Sequence, residues 1–261
     1  MRTMRRRIII PFIGVIAAAT AVSSIYMIIS TLVNGEQEQN AFNALTAIVE
    51  QEKGKLSEEE EGNETNAIPT ILPEYQGIFE QNCDLFGWLH IDDTVVNYPV
   101  MHTPDDSQYY LRRAFDKSDA QSGTPFLDGA CFKGCGNYII YGHHMKNGTM
   151  FGSLQKYADK SYWEQHKIIC FDTLYEHGEY EVLAAFYGKA IAAGETGFRY
   201  YQYTDLTDSA AFEEYISQVN IAAIYDTGAT FEYGDELLTL STCSYHTTDG
   251  RFVVVARKIT R

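Results

Sequence analysis

The 261-residue chain is 45% hydrophobic and 13% aromatic, enough to bury a core and to rule out disorder throughout. Its formal net charge is −15, and four of its 20 Lys and Arg stand in the first 33 residues, which hold no acid, so the remainder is more acidic still. Such a surface repels nucleic acid, which excludes that class of partner.

Arg2, Arg5, Arg6 and Arg7 precede an uncharged stretch from Ile8 to Val33. As a helix it would run about 39 Å against a hydrocarbon core of about 30 Å, so a tilted transmembrane anchor is expected over 8–33. Positive charge stays cytoplasmic, which puts the basic N-terminus, 1–7, inside and everything after Asn34 outside the cell. The rival reading is a cleavable signal peptide, with the small residues of "AAATA" at its cleavage site. The apolar run continues past them through "IYMIISTLV", which favours a retained anchor. Pro11 is tolerated in a membrane span.

Residues 34–71 read as an extracellular helical and acidic linker. Within it Phe42, Leu45, Ile48 and Val49 share one face of a short amphipathic helix. The charge and lack of period of "LSEEEEGNETNAIPT" mark a flexible tether, in which the Asn63 sequon is incidental. A globular domain is expected over 72–261, opening with a helix over "PEYQGIFEQN". The chain holds no internal repeat.

From Gly87 on, strand signals dominate: "GWLHID", "TVVNYPVM", "NYIIYGHH", "IICFDTL", "EYEVLAAFYG", "ELLTLSTC" and "RFVVVARK". Two helical interruptions are expected, near "SLQKYADKSYWEQH" and over "DSAAFEEYISQV", where Phe212, Tyr215, Ile216 and Val219 form an apolar packing stripe. Helices do not alternate with strands, so a mainly β barrel or sandwich is favoured over a βαβ design.

The five cysteines, at 83, 131, 135, 170 and 243, are an odd number, so at least one is unpaired within the chain. Cys131 and Cys135, in "CFKGC", lack a second Cys or His pair at zinc-finger spacing, and a local disulfide is compatible with their spacing without being indicated by it. Cys83 and Cys170 sit among apolar residues as small hydrophobes. No metal or cofactor motif is found.

Cys243 differs because partners for chemistry surround it in sequence. A thiol becomes a useful nucleophile when a base takes its proton or a cation favours the thiolate, and acyl transfer also needs a donor for the oxyanion. His143 and His144 end the strand "NYIIYGHH", and a hairpin through "TTDG" returns Arg251 close to Cys243. Each residue alone has an ordinary structural reading, a packed histidine or a solvated arginine.

Together "TLSTC" (Thr239 to Cys243), the arginine eight residues beyond and the upstream "YGHHM" resemble the sortases, membrane-anchored cysteine transpeptidases of Gram-positive bacteria. The finer resemblance is to class B, carried by "GWLHID", "NYPVMHTPDDSQYYLRRAFD", "SGTPFLD" and "YGHHMKNGTMFGSLQKY", and it covers about Leu72 to Lys258. It implies an eight-stranded sortase β-barrel, with N-terminal helices and a helix in the long connection before the penultimate strands. By the same resemblance the catalytic residues are Cys243, His143 and Arg251. Ser241, Thr242, Tyr245 and Leu111 are the candidate substrate-binding residues. His144 stands where the family more usually has Asn or Thr. If the strand stays extended to its end, His143 and His144 point to opposite faces and cannot both face Cys243. His246 is expected to turn outward with "HTTDG".

The implied partners are secreted proteins bearing a C-terminal sorting signal and a cell-wall precursor or other amine acceptor; no cofactor is implied. A pilus-assembly enzyme joining pilins is the alternative, but the Asp-Pro-aromatic lid and second anchor typical of class C relatives are not found. A cysteine peptidase would use the same residues for hydrolysis, and a membrane-tethered binding module would not need the thiol.

Overall fold

The computed structural model describes the backbone of residues 2–59 and 70–259, and the side chains of 19–55 and 70–259. The tether expected over 56–70 falls mostly outside the described residues, as does the Asn63 sequon. The chain forms two compact units, Met1–Ala41 and Phe42–Arg261.

The first unit is helical. Helix α1 (Arg2–Glu59) runs unbroken through the position where the sequence suggested an anchor giving way to a separate helix. The only break signal there is Gly35, whose cost of about 1 kcal/mol is too small to end a helix of good formers. Among the described residues no helix is long and apolar enough to cross a membrane, which bears on the anchor expected over 8–33. The described side chains of that stretch, 19–33, are fewer than the roughly 20 residues a span needs.

In the second unit the end of α1 contributes Phe42, Leu45 and Val49 to the core, and the Phe42 ring meets Tyr98 edge-on at 5.1 Å. The predicted amphipathic face is therefore a packing face. Helix α2 (Pro73–Gln81) starts on a proline, which loses no helical hydrogen bond at that position, and buries Tyr75 and Ile78.

Eight strands then close a barrel: β1 (Leu85–His90), β2 (Asn97–Met101), β3 (Phe126–Leu127), β4 (Asn137–Tyr141), β5 (Ile168–Thr173), β6 (Glu179–Lys189), β7 (Leu237–Cys243) and β8 (Gly250–Lys258). Their order is β1-β2-β3-β4-β7-β8-β6-β5, with β5 pairing back onto β1. The β2–β3 and β4–β7 pairs are parallel and the others antiparallel. Closure pairs each strand with two neighbours, although β2 and β3 meet at the single pair Met101 and Phe126.

Each expected strand is present. The two-residue β3 is a strand beyond those read from the pattern, and β4 stops at Tyr141 before the two histidines. Asp159 caps helix α3 (Lys160–Gln165), its side chain accepting from the Ser161 N–H, and so splits the first helical interruption from a preceding 3-10 segment. Helix α4 (Ser209–Ala222) occupies the β6–β7 connection, capped by Asp208 and burying Phe212, Tyr215 and Val219.

The connection carrying α4 creates a second core outside the barrel wall. Leu238 and Leu240 of β7 point into the barrel, in a cluster with Ile140, Phe252 and Val254. Tyr200, Phe212, Tyr215 and Val219 pack against Val253 and Val255 on the other side. Strand β7 is thus buried on both faces, which explains its continuous apolar and β-branched run.

Candidate active site

The period-two geometry of β7 places the thiol. With Leu238 and Leu240 turned into the barrel, Thr239, Ser241 and Cys243 lie on the face covered by the β6–β7 connection. Two tyrosines of that connection satisfy the buried hydroxyls: Tyr200 Oη and Ser241 Oγ are 2.7 Å apart, and Tyr215 Oη and Thr239 Oγ1 2.8 Å. Thr239 also donates to Asn137 Oδ1 at 2.9 Å, tying β7 to the start of β4. Cys243 is the last residue of the strand and only partly buried, so its rigid neighbours present it at the rim.

The β7–β8 hairpin supplies the cation. Cys243 is directly opposite Arg251 in the antiparallel register, and directly opposed residues share a face. The Arg251 guanidinium donates through Nη1 to the carbonyls of Gly250 (3.0 Å) and Asp249 (3.2 Å), which fixes the base of its fork. On its other side Arg251 is paired with Gly188 of β6, and a Cβ there would lie 3.3 Å from the Tyr200 ring. The glycine thereby makes room for Tyr200 beside the arginine.

Parallel β4 delivers the histidine. Its register with β7 ends at Tyr141 and Ser241, and the Gly142 N–H then bonds the Ser241 carbonyl at 3.1 Å while Thr242 Oγ1 bonds the Gly142 carbonyl at 2.8 Å. His143 follows immediately. Its Nε2–H donates to the Leu111 carbonyl at 2.8 Å, which leaves Nδ1 as the nitrogen able to exchange a proton. Burial lowers the His143 pKa below the usual histidine range and the nearby Arg112 charge lowers it further, against the opposing Leu111 carbonyl. The resting imidazole is therefore neutral at neutral pH.

Cys243, His143 and Arg251 line one cavity of about 470 Å³, together with the predicted Leu111, Ser241 and Thr242. Tyr245 is not part of this lining; it is 70% exposed and its ring lies 5.4 Å from that of His144. Because β4 ends at Tyr141, the strand alternation expected to separate the two histidines does not reach them. Both approach Cys243, in different ways. His144 stays off the cavity wall and donates from Nδ1 to the Cys243 carbonyl at 3.0 Å. His246 turns outward as expected, bonded to Ser244 Oγ, with its ring tilted against that of Tyr187 at 4.8 Å.

Among the wall residues that sequence reasoning missed are Tyr200, Tyr201 and Asp128. Tyr200 and Tyr201 lie in a stretch read as loop, where only the aromatic density of "YYQY" hinted at a role. Burial pushes the Tyr200 hydroxyl up to about 12, so it remains a donor beside Ser241. Asp128 follows β3, and its Oδ2 accepts the Tyr141 hydroxyl at 2.9 Å.

A larger cavity, about 630 Å³, lies between the end of α1 and strands β1 and β5. It holds none of the residues above; its polar wall centres on Asp172, Lys53 and His177. Size does not make it the reaction site, because burial and the surrounding carboxylates disfavour a thiolate there. Its one thiol, Cys170, is pushed up to about 11 by burial. Among the described residues no cluster of His, Cys, Asp and Glu is arranged to hold a metal ion.

Comparison with known proteins identifies the family and the fold. A family model described as the sortase domain matches residues 89–259. Sortase B of Listeria monocytogenes is 30% identical over 204 residues, covering 76% of this chain and 78% of that protein. Sortase B of Staphylococcus aureus is 27% identical over 241 residues, 90% of each. A solved Staphylococcus aureus sortase B–substrate complex superposes with a TM-score of 0.72 at 26% identity, covering 87% of this chain and 99% of that one.

Proposed function

We propose, from the premise that the chain belongs to the sortase family, that it cleaves a C-terminal sorting signal of secreted proteins through a Cys243 thioacyl intermediate and transfers the new carboxyl end to an amine of a cell-wall precursor. One observation carries the reading: Cys243 and Arg251 face each other across β7–β8 while His143 lines the same cavity. The solved Staphylococcus aureus complex supports the reading, since it is a sortase B–substrate complex in a barrel of the same fold.

The chemistry follows from the positions. His143 Nδ1 takes the thiol proton as Cys243 Sγ attacks the scissile carbonyl carbon. The oxyanion that forms is stabilised by the guanidinium of Arg251, a charge aimed at a developing charge in a partly water-excluded cleft. As the C–N bond breaks, His143 returns the proton to the leaving amine. An incoming amine then gives His143 a proton while attacking the thioacyl carbon, and Cys243 leaves as a thiolate that takes that proton back from His143. His144 holds the Cys243 carbonyl and so positions the backbone of the nucleophile.

The domain is placed outside the cell, held by an N-terminal membrane anchor. Support comes from the four arginines before the uncharged 8–33 stretch. Val22, Ile25, Met27, Ile28, Ile29 and Leu32 are each more than half exposed on their helix. The Ser24 and Thr31 hydroxyls there are already satisfied by carbonyls four residues back, as an apolar surrounding demands.

The test is to incubate the purified chain with a peptide library and candidate amines, and to identify products by mass spectrometry. Amine-linked products that disappear in Cys243→Ala support the proposal. Hydrolysis indifferent to added amine would make the protein a cysteine peptidase instead.

A further inference from the structure

Cys131 and Cys135 have no part in this chemistry, yet they are 2% and 0% exposed and converge on a single atom. Each Sγ lies 3.4 Å from the carbonyl oxygen of Asn137, the first residue of β4. The intervening turn is tightly closed: the Cys135 N–H bonds the Phe132 carbonyl at 3.0 Å, and Gly134 and Gly136 take φ of +83° and +88°. Two sulfurs each 3.4 Å from one oxygen, on so short a turn, are near neighbours, and a disulfide would bring them to about 2.05 Å. We infer that Cys131 and Cys135 are a modification site, an intramolecular disulfide that forms by exchange with a small-molecule disulfide and staples the turn leading into β4.

The order of the exchange follows from the local electrostatics. The closeness of the two sulfurs lowers the Cys135 pKa and raises that of Cys131, which makes Cys135 the better nucleophile. Cys135 as thiolate attacks one sulfur of the small disulfide, forms a mixed disulfide and releases one thiolate. Cys131 then loses its proton to solvent and attacks Cys135 Sγ, which forms the intramolecular bond and releases the second thiolate. Two protein thiols lose two electrons and the small disulfide gains them. Phe132 is 49% exposed, so the turn is at the surface and its opening admits the reagent. Asn137 links the staple to β7, since its side chain bonds both Thr239 and the Tyr203 carbonyl.

Lys133 lies between the two cysteines, so trypsin separates them unless they are joined. The full chain, folded, is equilibrated with mixtures of oxidised and reduced glutathione, quenched in acid, alkylated under denaturing conditions and digested. Most chains should then carry the 118–133 and 134–146 peptides as one species that falls apart on reduction. In Cys131→Ser the exchange should stop at a glutathione adduct on Cys135, whereas Cys135→Ser should leave Cys131 largely unmodified. The inference is overturned if both cysteines stay alkylated in the most oxidising mixture, or if either pairs with Cys83 or Cys170. These readouts do not depend on turnover, so they stand or fall separately from the transpeptidase reading.

Discussion

His143 donates its Nε2–H to the carbonyl oxygen of Leu111, 32 positions earlier in the chain. That bond selects the tautomer with Nδ1 open, so the carbonyl's position controls the base. Gly123 guards it: at φ +59°, a Cβ on this residue would lie 2.5 Å from the Leu111 oxygen and 2.6 Å from that of Tyr110. Gly123→Ala should cost about 1–3 kcal/mol in backbone strain. By displacing Leu111 it should also lower kcat on the order of tenfold or more. Circular dichroism should show the domain folded while peptide turnover falls; unchanged turnover would separate Leu111 from the mechanism.

Arg251 faces Cys243 in register and has its Nη1 committed to two turn carbonyls, so the rest of the fork serves the cavity. A lysine has a point charge but no fork to hold both. Arg251→Lys should lose more than about tenfold in kcat/KM, at least about 1.4 kcal/mol. Cys243→Ala should abolish thioacyl trapping, while Cys83→Ala and Cys170→Ala keep it. Near-normal kinetics in Arg251→Lys would reduce the arginine to a structural charge.

The adjacent histidines should separate by experiment because their contacts differ. His143→Ala removes the only imidazole of the cavity lining and should eliminate transpeptidation in a folded protein. His144→Ala removes one hydrogen bond to the Cys243 carbonyl, worth about 1 kcal/mol, so activity should fall by about fivefold. Thioacyl formation measured for each variant checks this. Equal losses would mean that both rings handle protons.

Much of this site was legible because strand periodicity and the hairpin turn fix local geometry. Strand β7, the "TTDG" return and the Cys243–Arg251 pairing follow from about fifteen consecutive residues. Where contacts come from distant segments, the sequence is silent. The end of β4 at Tyr141 is set by its parallel partner β7, a hundred residues away. The Leu111 carbonyl and the Tyr200 hydroxyl reach the site from loops with no period to read. The continuous α1 was missed for another reason: composition marks where a helix changes surroundings, from apolar to amphipathic, without marking a break in its backbone.

The pH profile should report the environment of His143. Burial and the Arg112 charge lower its pKa, so the neutral base needed to receive the incoming amine's proton persists below the usual histidine value of about 6.5. The acid limb of kcat/KM should therefore lie below that value. Arg112→Gln removes one of the two lowering influences and should move the limb upward, and high salt should do the same more weakly. A limb at or above pH 6.5 in the unaltered protein would contradict the burial argument.

A second histidine should set a stability window of opposite sign. His177 Nδ1 lies 3.0 Å from Asp172 Oδ2 and its Nε2 3.4 Å from Glu74 Oε1, with Lys53 Nζ 3.6 Å from the same Asp172 oxygen and the Tyr75 hydroxyl bonded to it. This cluster joins α1, α2, β5 and the turn after β5. The hydrogen bond to Asp172 raises the His177 pKa. Burial pushes Asp172 up, but bonds from His177 and Tyr75 outweigh it and hold its pKa below the usual range. A histidine with a raised folded-state pKa contributes stability that is complete below its unfolded value, about 6.5, and is lost as pH rises through the folded one. An aspartate with a lowered pKa contributes stability that is complete above about 3.9 and is lost as pH falls through its folded value. Both contributions coexist near pH 5. The difference in Tm between the native protein and His177→Ala should peak there and shrink on either side, as thermal melts at a series of pH values would show. His177 is well exposed, so the peak should flatten in high salt. A difference that stays constant from pH 4 to pH 9 would mean that His177 contributes only packing, and that the ion pair does not hold the helices to the barrel.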